Sequence, residues 1–209
     1  MNDRSPYVAL GLEPGVPSQE IKRAYRNLSM RFHPDSSRDP RTAGRFARIN
    51  RAYKFISARP LPERPVAALR PLPASDPEDL FELGRILGEG RAAEDRARAA
   101  RYLGLSGKRS AWVFLRKGLY DPDPSVAGAC VRAAAALGLS QGAAELASAY
   151  LRQGPALREA VLEAARATGD AIFLPALDAA AADEDPARRL AARALRLRIA
   201  AADAEPRPA

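Results

Sequence analysis

Three times in the second part of the chain an alanine-rich run meets a glycine, at Gly104, Gly138 and Gly169, spaced 34 and 31 residues apart. Glycine takes the left-handed conformation that ends a helix, so each run reads as a helix with a stop. The starts repeat too. Asp123-Pro124, Gly154-Pro155 and Asp185-Pro186 put proline at or near the first helical position, where its missing amide is harmless. Leading helices fall at 110–119, 141–153 and 171–182, and 78–87 with 91–103 makes an earlier pair. The run 186–201 lacks the glycine and reads as a terminal cap. No single pair can bury its own apolar stripe, so the pairs must stack. The chain is therefore expected to be all-α, its C-terminal part (residues 78–203) an α-solenoid of about four helix pairs.

With Asp121-Pro122-Asp123-Pro124-Ser125-Val126 ahead of an alanine-rich second helix, the pattern is similar to HEAT repeats. Tetratricopeptide repeats are the nearest rival on period. The first pair departs from the others by lacking the Asp-Pro opening.

The N-terminal part is organised differently. Residues 18–32 carry Ile21, Tyr25, Leu28 and Phe32 on one helical face, with Lys22, Arg23 and Arg26 on the other. Pro34 ends that helix and biases His33 away from helical geometry, so His33 and Asp35 are expected on an exposed turn. A second amphipathic run, 41–56, presents Phe46, Ile49, Ala52, Tyr53 and Ile56, and a polar loop joins the two helices as a hairpin. Arg45, Arg48, Arg51 and Lys54 lie off its apolar stripe and read as a solvated face.

These residues resemble the J-domain of DnaJ-type co-chaperones. The likeness runs from Ser5-Pro6-Tyr7 and Leu10-Gly11-Leu12, through Glu20-Ile21-Lys22-Arg23-Ala24-Tyr25-Arg26 and His33-Pro34-Asp35, to Phe46, Ile49, Asn50, Ala52-Tyr53 and Ile56. It implies a J-domain hairpin over residues 1–59 whose His33-Pro34-Asp35 turn docks on the ATPase domain of a DnaK-type chaperone and promotes ATP hydrolysis there. In that role Asp35 pairs with a basic group, His33 bonds across the contact and Pro34 fixes the turn. Lys22, Arg23 and Arg26 would steer the encounter with an acidic surface, an effect on association rate that fades with salt. Asn27 stands where the family commonly has a further cation.

After Ile56 the chain departs from the family pattern. Pro60, Pro62 and Pro65 preclude a regular fourth helix, and residues 60–77 read as a proline-rich linker. Residues 204–209 are expected to form a tail. The favoured reading is a co-chaperone whose helical repeats recruit a client or partner protein. The alternatives are a non-stimulating interaction scaffold and a helical repeat that binds nucleic acid through Lys108, Arg109, Arg116 and Lys117.

Charge supports the first of these. The net charge is +8, and residues 1–60 alone carry 12 basic and 5 acidic side chains, so most of the excess lies in the hairpin, and nucleic acid is not the expected partner. One histidine and one cysteine supply no zinc set and no Cys-His pair, and no phosphate loop is present, so neither a cofactor nor enzymatic activity of the chain's own is expected. Cys130 falls on an apolar stripe as a packed thiol. Asp121, Asp123, Asp183 and Asp185 read as helix caps beside prolines. With no secretion signal or spanning helix evident, the expected compartment is the cytoplasm.

Overall fold

Helix boundaries follow from where backbone donors and acceptors find local partners. The computed structural model of the chain describes residues 5–33, 41–59 and 80–204, and among them every regular element is helical. Three helices form the N-terminal part: α1 (Ser5–Ala9), α2 (Ser18–Arg31) and α3 (Arg41–Ala58). Eight follow: α4 (Leu80–Glu89), α5 (Ala93–Leu105), α6 (Trp112–Gly118), α7 (Pro124–Leu137), α8 (Ala143–Arg152), α9 (Pro155–Thr168), α10 (Leu174–Ala180) and α11 (Pro186–Ala204). The expected linker, most of the expected tail, Pro34, Asp35 and the hairpin loop lie outside the described residues.

The punctuation seen in the sequence does its work at α7, α9 and α11. Asp123 caps α7 by accepting the Ser125 amide at 2.8 Å, and Pro124 follows as the first helical residue. Asp185 does the same for Ala187 at 2.7 Å. Gly138 and Gly169 close α7 and α9 with φ of +56° and +59°. The leading helices begin as single 3-10 turns, Arg109–Ala111, Ser140–Gly142 and Ala171–Phe173, before α6, α8 and α10.

Gly104 differs from its expected role. It lies inside α5, and the chain leaves that helix at Ser106 and Gly107, the latter with φ +68°. A Cβ on Gly104 would stand 2.7 Å from both Cα and Cβ of Ala133 on α7. The glycine therefore serves helix contact: α5 and α7 pack too closely for any side chain there.

Packing is sequential. α4 packs on α5, α6 on α7, α8 on α9 and α10 on α11, while α5, α7, α9 and α11 each meet the next. Their shared core includes Leu103, Leu115, Val126, Val131, Leu146, Val161, Leu162, Phe173 and Leu177. Cys130 is fully buried in it, and burial pushes its thiol pKa up, so it is a packing group. Asp183 is more than a cap. Its buried carboxylate accepts from Tyr150 Oη at 2.7 Å and lies 2.9 Å from Arg188 and 3.3 Å from Arg158, joining α8, α9 and the start of α11.

The N-terminal hairpin has a core of its own: Tyr7, Leu10, Leu12, Ile21, Ala24, Leu28, Ile49, Ala52 and Ile56. Leu105 and Ala136 from the C-terminal helices complete it, and Val8 of α1 enters the other core in return. Burying Val8 and Leu105 stabilises this junction by about 1.5–3 kcal/mol apiece. The hairpin is thereby held against α5, α7 and α9.

Candidate docking site

α2 and α3 form the hairpin through stacked tyrosines and a shared hydrogen bond. The Tyr25 and Tyr53 rings lie 4.0 Å apart, and Tyr25 Oη donates to Asn50 Oδ1 at 2.9 Å. His33 follows the end of α2, half-buried, with its ring edge-on to Phe46 of α3 at 5.3 Å. The imidazole is thus held by an aromatic neighbour, a contact the periodicity of the two helices does not announce. Pro34 and Asp35 lie outside the described residues.

Along α2 the three expected cations separate. Lys22 and Arg26 are exposed. Arg23 is half-buried, its guanidinium over the Tyr102 ring of α5 at 5.7 Å. The structure therefore keeps two cations on the open face and turns the third toward the C-terminal helices. Asn27, one turn on, donates from its amide to the Leu105 carbonyl at 3.0 Å, and Glu20 accepts from Tyr102 Oη at 3.2 Å and pairs with Arg101.

The reading of the α3 arginines as a solvated face holds for Arg51 and Lys54, which are exposed, and fails for Arg45 and Arg48. Arg45 donates to Asp170 and to the Ala135 carbonyl, and Arg48 donates to the Thr168 carbonyl. Arg31 of α2 reaches the Ala136 carbonyl at 3.2 Å and that of Leu137. These carbonyls belong to the last turns of α7 and α9, which have no partner within their own helices and carry the negative end of the helix dipole. Three arginines of the hairpin therefore cap two helices of the other domain. Burial, with Arg45 close by, lowers the Arg31 pKa to about 10, and burial lowers those of Arg45 and Arg48 as well. At about 10, Arg31 stays charged at neutral pH.

Sequence reasoning missed this clamp because charges off an apolar stripe point to solvent unless a distant acceptor is known. One signal was available: Gly138 and Gly169 mark two helix ends whose carbonyls need donors, and α3 carries two arginines one turn apart. Lys108, Arg109, Arg116 and Lys117 are all exposed. Among the described residues no group of His, Cys, Asp and Glu could hold a metal ion, and no helix is long and apolar enough to cross a membrane.

Comparison with known proteins places the resemblance on this hairpin. Residues 5–60 match the family model described as DnaJ domain. A "Chaperone protein DnaJ 1" of Aromatoleum aromaticum is 38% identical over 79 residues, 38% of this chain and 21% of that protein. "DnaJ protein ERDJ2A" of Arabidopsis thaliana is 47% identical over 53 residues, 25% of this chain and 8% of that protein. A "Chaperone protein DnaJ" of Methanothermobacter thermautotrophicus is 44% identical over 57 residues, 27% of this chain and 15% of that protein. The chain thus spans about a fifth or less of the length of these relatives. No solved structure matches it significantly. Family model and relatives together support the J-domain (DnaJ) family for the N-terminal domain of this chain.

Proposed function

We propose that the chain is a co-chaperone that binds a DnaK-type chaperone through His33, Pro34 and Asp35 and stimulates ATP hydrolysis there, while its C-terminal helices recruit a client or partner protein. The observation that carries this reading is the open face of α2: Lys22 and Arg26 remain exposed on the helix that leads into His33, inside a segment matching the DnaJ domain. Cations so placed attract an acidic surface and raise the association rate. The hydrolysis takes place on the chaperone, and the chain supplies contacts rather than chemistry of its own.

For the C-terminal helices we favour HEAT-like pairs in a solenoid, supported by the sequential packing of α5, α7, α9 and α11 and by the Asp-Pro and glycine punctuation. The side of α5, α7 and α9 that meets the hairpin is already occupied, so a recruited partner would bind elsewhere on this domain. The test is single-turnover ATP hydrolysis by the host's DnaK-type chaperone. Wild-type chain should accelerate it and Asp35→Asn should not. An unchanged rate with wild-type chain would overturn the reading in favour of a non-stimulating scaffold, which the turning of Arg23 onto Tyr102 would suit.

A further inference from the structure

Helix α11 carries an apolar stripe that no other described residue covers. Ala187, Leu190, Ala194, Leu197 and Ala201 recur at three-four spacing along α11, and all five are exposed, with Leu190 at 72% and Leu197 at 69%. The opposite face of the same helix is spent on the core: Ala192, Leu195 and Ile199 are buried against α9 and α10. α11 is thus apolar on two sides, where a helix that ended a stack would turn a polar side outward. Sustained three-four spacing is the pattern of a seam between two helices.

The flanks say what kind of helix would complete it. Arg193 and Arg198 border the seam on opposite sides, and both are exposed, Arg198 also donating to the Arg166 carbonyl at 2.8 Å while keeping its charge at the surface. Arg196 lies further round and is paired with Asp178. No acidic residue of α11 between Pro186 and Ala201 offsets these arginines. A second copy of the chain is a poor occupant. Packed parallel, Arg193 would face Arg198 of the other copy, and packed antiparallel each would face its own equivalent, so like charges meet either way.

We infer that the outward face of α11 is a docking surface for a partner helix with apolar residues at three-four spacing, flanked by Asp and Glu. The inference rests on the reading that the C-terminal helices recruit a partner, and it names where and by what chemistry. The leucines would supply the desolvated anchor, and the flanking arginines would select for acidic partners and against basic ones.

The experiment uses the full chain and two synthetic three-heptad peptides, each with leucine along the seam, one flanked by glutamate and the other by lysine. Fluorescence anisotropy should show saturable binding of the glutamate peptide, at least about tenfold tighter than the lysine peptide and weaker at high salt. Combining Leu190→Glu with Leu197→Glu should weaken it by at least about tenfold. Arg193→Ala, which leaves the apolar stripe intact, should weaken it several-fold, and both variants should melt like wild type because the altered side chains are exposed. Equal binding of the two peptides, wild-type binding by the double variant, or a Leu190-dependent dimer of the chain that excludes peptide would overturn the proposal. Because no ATP is hydrolysed in this assay, loss of peptide binding with ATPase stimulation intact would sink the surface alone, leaving the co-chaperone reading untouched.

Discussion

Arg45→Ala is the substitution that most sharply tests whether the hairpin sits on the C-terminal helices as described. The side chain pairs with Asp170, bonds the Ala135 carbonyl and lies over the Phe32 ring with its guanidinium carbon 4.1 Å from the centroid. Its loss leaves Asp170 with the Ile172 amide at 3.0 Å and leaves the Ala135 carbonyl without the arginine. Removing one partner of a buried pair costs about 3–5 kcal/mol. Two effects reduce that here. Arg45 and Asp170 are each 15% exposed, so water recovers part of the loss, and removing Arg45 relieves its repulsion with Arg31 and Arg48. A net cost of about 2–3 kcal/mol is expected, with roughly 2 kcal/mol of it appearing as coupling to Asp170→Ala in a double-mutant cycle. Urea unfolding followed by far-UV circular dichroism and by fluorescence of Trp112, which is buried in the C-terminal core, measures both. Arg51→Ala, on the same helix but exposed, is the control and should be near neutral. An Arg45→Ala variant as stable as the Arg51→Ala control would refute the clamp.

Gly104→Ala should destabilise the chain by about 1–3 kcal/mol even though alanine is the better helix former, because its methyl would press on Ala133; a melt showing stabilisation would mean that α5 and α7 stand further apart. Asp183 is held well below the usual carboxylate range, chiefly by its bond from Arg188. A depressed folded-state pKa contributes stability that is in place above the unfolded value of about 4 and is lost as pH falls below it, so Asp183→Asn should flatten the acid limb of the stability curve. An unchanged acid limb in that variant would contradict the assignment.

Much of this architecture could be read from residue order because its signals are local. Asp123, Pro124 and Gly138 bracket one helix within sixteen positions, and each acts through backbone groups next to it. The same logic misplaced Gly104, since a glycine needed for close helix contact and one needed for a left-handed turn are the same letter. Its reason is Ala133, on α7. Arg31, Arg45 and Arg48 were illegible for a related cause: their acceptors lie 90 to 125 residues away in the chain. On the J-like hairpin the exposure of Lys22 and Arg26 was legible, but His33, expected on an exposed turn, is half-buried against Phe46, and which cations stay open depends on Tyr102, which no pattern in residues 5–60 contains.

The most direct measurement is binding of the host's DnaK-type chaperone, in ATP, to the immobilised chain carrying charge reversals on the hairpin or on the C-terminal helices. Lys22→Glu with Arg26→Glu on α2 should slow association by about tenfold or more, with the difference shrinking as salt is added, while Arg116→Glu with Lys117→Glu, exposed on α6, should leave it near wild type. Equal loss from both pairs, or loss only from the second, would contradict docking through the hairpin.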